Sequence, residues 1–307
     1  MWTNILLLIL GLLLLISGGE FLVKSAVSIA KKFNISPFIV GITIVSFGTS
    51  APELMVSLQA TFDGATGLAI GNVIGSNIAN IGLVLGLTVL VKPIIIEKSK
   101  YVFSIWFMLI SALLFSILLY DGDISFTDGL LLVLGLLVFL LFSFKYDKSQ
   151  DVEDDLVEKG VFTTILFFVL GSVGLYFGSD IFVNNAICIA KNMGVSEFVI
   201  GITIVAFGTS LPELVTSIVA AVRNQNSISI GNLIGSNIFN IFAVIGITSL
   251  IHPLQQNSAS ITGEISLFIM ILFSIIMGLY LIGKKISRLK GLILLAGYLI
   301  YIIFNFI

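Results

Sequence analysis

Two six-residue segments hold the residues of this chain that are best suited to chemistry: GTSAPE at 48–53 and GTSLPE at 208–213. Each lies near the middle of an apolar stretch. Proline has no N–H and clashes with the carbonyl four residues back, so Pro52 should free the carbonyl of Gly48. We expect the helix to restart at the proline, with a preceding Thr or Ser as its cap and Glu53 in its first turn, where the helix dipole favours an anion. The second copy repeats this construction.

The two glutamates, Glu53 and Glu213, need a counter-charge, because an ionised carboxylate at the centre of a membrane costs roughly 2.5–3.5 kcal/mol or more. No Lys or Arg occurs in the four apolar stretches that hold the motifs, 36–61, 66–91, 196–222 and 226–251. A bound cation is then the best partner. Carboxylate, carbonyl and hydroxyl oxygens can supply the roughly six to eight ligands that Ca²⁺ takes, whereas one Cys and one His make zinc and copper poor candidates. A purely structural kink would explain the prolines but not the glutamates.

A second polar motif follows each of these segments: GNVIGSNIAN at 71–80 and GNLIGSNIFN at 231–240. Within each copy a serine and an asparagine stand four residues apart and so share a helix face; they are Ser76, Asn80, Ser236 and Asn240. Lining of a cation site competes here with hydrogen bonding between helices, while the glycines of the motif predict close helix packing.

The composition places these motifs in a membrane. The chain has 307 residues, of which 58% are hydrophobic and 10% charged, against roughly 45–50% and about 25% in soluble domains. Ten apolar segments have the roughly 17–25 residues that a spanning helix needs. They are 5–32, 36–61, 66–91, 102–120, 127–144, 162–190, 196–222, 226–251, 264–283 and 290–306. A net charge of −2 without a basic tract makes nucleic acid an unexpected partner.

The chain also contains an internal repeat. Residues 41–60 match residues 201–220 at 14 of 20 positions without a gap, an offset of 160 that also aligns 71–80 with 231–240. Five spans separate equivalent points, and an odd number inverts the second copy, as in secondary transporters whose site lies at the repeat interface. We predict an all-α polytopic membrane protein of ten transmembrane helices, as two inverted five-helix repeats with broken helices at the midplane. The predicted units are residues 1–145, a short acidic cytoplasmic linker at 146–160, and residues 161–307.

The distribution of Lys and Arg predicts the orientation, because cytoplasmic loops collect these residues. With the amino terminus outside, 13 of the 15 fall in or next to inside loops. We therefore expect a cell-membrane protein with both termini outside. The acidic linker could serve as a calcium sensor, but it lacks EF-hand spacing, and a solvated linker is the simpler interpretation.

Two further charged positions lie within predicted spans. Glu20 and Lys24 stand four residues apart on the first span, which predicts mutual neutralisation. In the second repeat Asp180 has Asn184 where Lys24 stands, so this pairing is not repeated. The sequence assigns no role to Asp180.

The doubled motifs resemble a known family. GTSAPE and GTSLPE, each followed by GNxIGSNIxN, are similar to the alpha-repeats of the cation/calcium exchanger superfamily, in particular its sodium/calcium exchanger branch in a minimal, prokaryotic-type form. The resemblance covers essentially the whole chain. It implies that the central calcium ligands are Glu53, Glu213 and the backbone carbonyls of Thr49 and Thr209. It implies flanking sodium sites and site lining at Ser46, Ser50, Ser76, Asn80, Ala206, Ser210, Ser236 and Asn240.

The function implied by this resemblance is a secondary antiporter that exchanges Na⁺ for Ca²⁺ by alternating access, with spans one and six sliding past the core of spans two, three, seven and eight. Three alternatives stay open. Midplane carboxylates can carry protons, which allows a Ca²⁺/H⁺ antiporter; a calcium channel could use the same oxygen-rich site; and a membrane-embedded enzyme could use paired carboxylates, although no nucleophile–histidine set or zinc motif accompanies them.

The remaining expectations concern partners. We expect no enzyme activity and no cofactor, since Ca²⁺ and Na⁺ are transported ions. The expected partners are the lipid bilayer, Ca²⁺ and Na⁺, with H⁺ as a further candidate and no protein partner implied. Asn240 stands where potassium-dependent relatives carry Asp, which predicts exchange without K⁺.

Overall fold

The computed structural model describes residues 2–96, 98–145, 160–193, 208–255 and 261–306, which are almost entirely helical. The helices of the first half are α1 (Trp2–Phe33), α2 (Pro37–Val40), α3 (Ser46–Phe62), α4 (Thr66–Ala79), α5 (Gly86–Val91), α6 (Lys98–Leu118) and α7 (Phe126–Lys145). Those of the second half are α8 (Val161–Asn192), α9 (Leu211–Val222), α10 (Asn226–Phe239), α11 (Gly246–Ile251), α12 (Ile261–Ile282) and α13 (Arg288–Phe306).

Wider π-helical turns join several of these helices into longer spans. Gly41–Val45 connects α2 to α3, Asn80–Leu85 connects α4 to α5, and Asn240–Ile245 connects α10 to α11. A short 3₁₀ turn, Leu119–Asp121, follows α6. Such π turns often occur at functional positions, and two of them begin at an asparagine predicted to line the site.

Eight helical segments within the described ranges are long and apolar enough to cross a membrane. They are Trp2–Phe33, Pro37–Phe62, Thr66–Val91, Tyr101–Asp121, Phe126–Lys145, Val161–Asn192, Asn226–Ile251 and Glu264–Ile282. The predicted count of ten also includes α13 and the span that ends with α9, whose first part lies outside the described residues. The all-helical membrane architecture is thus confirmed, while the exact count of ten stays a prediction.

Two small strand pairs link the halves of the chain at opposite ends of the helices. β1 (Ile94–Ile95) pairs antiparallel with β4 (Lys285–Ile286), and β2 (Asp123–Ile124) pairs antiparallel with β3 (Leu254–Gln255). We call the end that carries β2, β3 and the start of α1 face A, and the end that carries β1 and β4 face B. Each pair joins a loop of one repeat to a loop of the other, as expected for inverted copies.

The helices that carry the motifs form the centre of the bundle. The spans built from α4 with α5 and from α10 with α11 are the most buried, whereas α1 and α8 expose large parts of their surface. Because lipid-facing surface is apolar, a membrane helix exposes leucine and isoleucine where a soluble helix would expose charge.

The long helices α1 and α8 run antiparallel with their backbones in contact. A Cβ at Gly18 would lie 2.8 Å from the Leu175 nitrogen, and a Cβ at Gly171 would lie 2.7 Å from the Leu22 nitrogen. Gly11 and Gly178 make the equivalent approach seven residues further along the two helices. Small residues allow this approach, and dispersion between two close backbones replaces the hydrophobic driving force that a bilayer lacks.

The predicted acidic linker at 146–160 lies outside the described residues except for Gly160. Helix α7 ends at Lys145 and α8 begins at Val161. The unit boundaries at 145 and 161 therefore coincide with helix ends, and the division into units stays a prediction.

Candidate cation site

The two predicted carboxylates, Glu53 on α3 and Glu213 on α9, are both 0% exposed. The Ser50 hydroxyl donates to Glu213 Oε1 at 3.2 Å, so the GTSAPE segment of one half touches the GTSLPE segment of the other. Both oxygens of Glu53 and Oε2 of Glu213 are buried without a hydrogen-bond partner in the described part of the chain. An unpartnered buried carboxylate is costly, so these oxygens are suited to bind a cation.

The prolines act differently in the two copies, and the expected helix restart is wrong for the first. Helix α3 continues from Ser46 through Pro52 without a break, because a single proline removes one hydrogen bond but still allows helical φ. In the second copy α9 begins at Leu211, and Ser210 precedes it without a side-chain cap bond. The carbonyl of Gly208 instead accepts a hydrogen bond from Ser179 Oγ on α8 at 2.8 Å.

Thr49 and Thr209 occupy unlike surroundings although their motifs match. Thr49 is 0% exposed, and its hydroxyl donates to Asn232 Oδ1 at 3.0 Å and lies 3.4 Å from Ser236 Oγ. Thr209 is half-buried and borders a cavity. The ligand role of their carbonyls stays a proposal.

Two asparagines bind the helices that carry the glutamates, a role that the sequence did not reveal. Asn232 Nδ2 donates to Ser217 Oγ at 3.1 Å, and Asn72 Nδ2 donates to Ser57 Oγ at 3.1 Å and to the Glu53 carbonyl at 3.3 Å. In each copy the serine stands four residues after the glutamate and binds the amide of the asparagine. The recurrence of both the asparagine and the serine at the offset of 160 is the sequence signal that could have indicated this role.

Most of the other predicted site residues are buried as well. Fully or almost fully buried are Ser46, Ser50, Ser76, Asn80, Ser210, Ser236 and Asn240. Side-chain atoms without a hydrogen-bond partner among the described residues include Ser76 Oγ, both polar atoms of Asn80, Ser210 Oγ and Asn240 Oδ1. Ser46 Oγ instead donates to the Ile42 carbonyl at 2.8 Å. The predicted residue Ala206 lies outside the described residues.

The amide hydrogen bond between the repeats forms in one of two sequence-equivalent asparagine pairs and not in the other. Asn240 Nδ2 donates to Asn77 Oδ1 at 3.1 Å, and Asn77 Nδ2 donates to the Asn237 carbonyl at 3.3 Å. In the equivalent pair, Asn80 and Asn237, the side-chain oxygen Oδ1 of Asn237 and both polar side-chain atoms of Asn80 have no partner in the described ranges. Near-identical sequences are therefore held in two different arrangements.

The chemical character of the cluster fits a hard cation. Its polar atoms are carboxylate, hydroxyl and amide oxygens, which suit Ca²⁺ and Na⁺ better than soft metals. No group of three or more His, Cys, Asp and Glu residues able to hold a metal ion together occurs in the described part of the chain. Two carboxylates supplemented by neutral oxygens give a site of low formal charge.

Comparison with known proteins agrees with this chemistry. The profile of the sodium/calcium exchanger protein family matches residues 3–145 and 163–307. The chain belongs to the sodium/calcium exchanger family. It is 35% identical to the sodium/calcium exchanger MaX1 of Methanosarcina acetivorans over an alignment of 358 positions, gaps included, which covers 99% of this chain and 98% of that one.

Two further similarities extend over the full length. An uncharacterised membrane protein of Methanocaldococcus jannaschii is 36% identical over 295 residues, covering 96% of this chain and 95% of the other. A solved structure of the sodium-calcium exchanger NCX_Mj superimposes with a TM-score of 0.84 at 35% identity and covers 98% of both chains. The resemblance inferred from the doubled motifs is thus confirmed.

In this member of the sodium/calcium exchanger family, the two halves differ in how tightly the surroundings of the site are packed. A cavity of about 180 Å³ separates α3 from α8 in the half toward face A, and its lining includes Pro52, Val56, Asp180, Asn184 and Thr209. The offset of 160 gives the equivalent residues between α9 and α1, which are Pro212, Thr216, Glu20, Lys24 and Thr49. Of these, Pro212, Thr216 and Thr49 are buried. A cavity thus borders the interface of α3 with α8 on the face A side, whereas three of the equivalent residues on the face B side are buried.

Proposed function

We propose that this protein exchanges Na⁺ for Ca²⁺ across the membrane by alternating access at the site of Glu53 and Glu213. The observation that supports this best is the pair of fully buried carboxylates on sequence-equivalent helices. Neither forms a salt bridge with a described Lys or Arg, so a mobile cation is the remaining source of positive charge.

Competition between the two ions follows from the charge of this site. The two carboxylates carry a formal −2, which one Ca²⁺ or two Na⁺ neutralise, and a third Na⁺ would make the loaded site +1. An empty site would carry its full charge through a low-dielectric interior, which is costly. Movement is therefore favoured only with ions bound, and this couples the two fluxes.

We assign the ligands by combining the resemblance with the geometry. Calcium would be bound by the carboxylates of Glu53 and Glu213 with the carbonyls of Thr49 and Thr209. Sodium sites and site lining would be formed by Ser46, Ser50, Ser76, Asn80, Ala206, Ser210, Ser236 and Asn240. The unpartnered buried oxygens of Ser76, Asn80, Ser210 and Asn240 support this assignment.

We further propose that face A is extracellular, so that both termini lie outside. Face B carries the basic residues Lys92, Arg223, Lys284, Lys285 and Arg288, whereas Asp121 and Asp123 lie at face A. Positive charge marks the cytoplasmic side of membrane proteins. With this orientation the cavity beside Thr209 opens outward.

Uptake of ⁴⁵Ca²⁺ into proteoliposomes under an imposed Na⁺, H⁺ or K⁺ gradient tests the function. Uptake driven by an outward Na⁺ gradient, and abolished when Na⁺ is equal on both sides, is the expected result. Uptake that follows only a pH gradient would make the protein a Ca²⁺/H⁺ antiporter. Uptake that needs no counter-ion gradient and follows membrane potential alone would indicate a channel.

A further inference from the structure

A charged cluster joins α1 to the centre of the bundle near face B. Arg223, which caps the C-terminal end of α9, donates to Glu20 Oε1 from Nε at 2.9 Å and from Nη2 at 2.6 Å. Lys24 Nζ lies 3.2 Å from Glu20 Oε2. The predicted Glu20–Lys24 pair is thus present, but the second cation comes from a residue 203 positions away.

This cluster lies at the interface of α1 with α9. The equivalent interface in the other half, that of α8 with α3, borders the cavity. A Cβ at Gly19 would lie 3.1 Å from Val215 Cγ1, so α1 rests directly on α9. Thr216 beneath this contact is 0% exposed. To open the site toward face B, α1 must move away from α9, and the ion pair between Glu20 and Arg223 spans the interface that would separate.

The repeats differ in charge at the equivalent positions. By the offset of 160, Asp180 is the sequence equivalent of Glu20, and Asp63 is the sequence equivalent of Arg223. Asp180 accepts a hydrogen bond from Asn184 at 2.9 Å and forms no salt bridge with a described residue, while Asp63 accepts from Gln59 at 3.0 Å and 3.1 Å. Attraction between unlike charges at face B therefore has no counterpart at face A, where both positions are acidic.

We propose that the Glu20–Arg223 ion pair, supported by Lys24, is a latch that closes the face B pathway and favours the state open to face A. When the site opens toward face B, the latch breaks. No equivalent latch forms on the face A side, because Asp63 and Asp180 carry the same charge sign. The proposal rests on alternating access as proposed above, and it assigns the bias between the two states to three residues outside the ion site.

The expected size of the effect is modest. The side chains of Glu20 and Arg223 are 23% and 56% exposed, so solvent and headgroups screen their attraction. Removal of such a pair should shift the equilibrium between the two states by about two- to fivefold. A shift of this size is measurable as a change in exposure of a buried position, without any transport assay.

Thr216 provides that buried position. Its hydroxyl has no partner among the described residues, so Thr216→Cys is a conservative probe, and Cys188→Ser removes the exposed native thiol. We would measure the rate at which a membrane-impermeant maleimide labels this cysteine in the double variant, reconstituted in nanodiscs that leave both faces accessible. Arg223→Gln and Glu20→Gln are then added separately to the double variant, and Arg223→Lys tests whether a shorter cation retains the latch.

Lys92→Gln is the matched control. Lys92 Nζ donates to the Val222 carbonyl at 3.3 Å and to Asn224 Oδ1 at 2.5 Å, so it binds the same end of α9, and it forms no hydrogen bond or salt bridge with a described residue of α1. We expect labelling to be about two to five times faster with Arg223→Gln and with Glu20→Gln, and close to the parent rate with Lys92→Gln and Arg223→Lys.

Two outcomes would overturn the latch. One is a labelling rate that neither Arg223→Gln nor Glu20→Gln raises. The other is an equal rise with Lys92→Gln, which would show that loss of any positive charge loosens this end. Because labelling requires neither Na⁺ nor Ca²⁺ flux, a failure of the exchange assay would leave this result interpretable by itself.

Discussion

The replacement of Glu53 by Gln tests the central assignment most directly. The amide keeps the size and shape of the side chain but removes one of the two negative charges of the site. Neither Glu53 oxygen has a hydrogen-bond partner among the described residues, so the folded protein loses no internal contact there. We therefore expect a protein that folds normally but binds calcium weakly and does not transport it.

The magnitude follows from burial. At about 2.4 Å and an effective dielectric constant of about 20, a carboxylate and a divalent ion attract by roughly 14 kcal/mol, most of which offsets the dehydration of the ion. Truncating one member of a buried charge pair costs a net 2–5 kcal/mol, roughly. Since about 1.4 kcal/mol is tenfold in affinity, the dissociation constant for Ca²⁺ should rise from about 30-fold to several thousand-fold. The 0% exposure of Glu53 favours the upper part of this range.

Equilibrium binding of ⁴⁵Ca²⁺ to purified protein in nanodiscs measures this change without requiring transport. Glu264→Gln is the matched control, because it makes the same substitution at an exposed carboxylate in the first turn of α12, outside the site. Glu213→Gln should behave as Glu53→Gln does. A dissociation constant within threefold of the unmodified protein, in a Glu53→Gln variant with an unchanged unfolding temperature, would refute the assignment of this carboxylate.

Three further predictions use other features. Because Asn240 is uncharged, sodium-driven calcium uptake should proceed equally with and without K⁺; an absolute K⁺ requirement at clamped membrane potential would contradict this. Lowering the pH should slow calcium uptake, since protons and Ca²⁺ compete for the same carboxylates, and raising Ca²⁺ should restore the rate; inhibition that excess Ca²⁺ does not relieve would exclude simple competition. Gly18→Ala places a methyl group against the backbone of α8 and should destabilise the protein by about 1–3 kcal/mol, whereas Gly71→Ala, where a Cβ would meet no atom within 4 Å, should not lower the thermal unfolding midpoint.

Much of the function could be predicted from residue types and spacing alone. The offset of 160 aligns the two motifs, and five intervening spans impose the inverted arrangement on any bilayer protein with this sequence. A buried charge must be compensated in any fold. The two glutamates, in spans without Lys or Arg, therefore predict a cation site from the sequence alone. The burial of Glu53 and Glu213 and the contact of Ser50 with Glu213 agree with that prediction.

Local details of the helices were harder to predict. A proline predicts a possible break, yet α3 continues through Pro52 while α9 begins just before Pro212. The difference depends on neighbours distant in sequence, such as Ser179, which binds the carbonyl that Pro212 frees. Likewise the asparagines at 72 and 232 stabilise the segments through serines that only the fold brings close.

The packing difference between the two halves was decided by the tertiary structure alone. The two halves are so similar in sequence that each predicts the same local structure, and no property of the motifs distinguishes the surroundings of Thr49 from those of Thr209. Packing breaks this symmetry: Thr49 is sealed beside Asn232 while Thr209 borders a cavity, and Glu20 meets Arg223 across the bundle. A protein with a site between inverted repeats must be asymmetric whenever it is open to one side, because two equal pathways would leave a continuous pore.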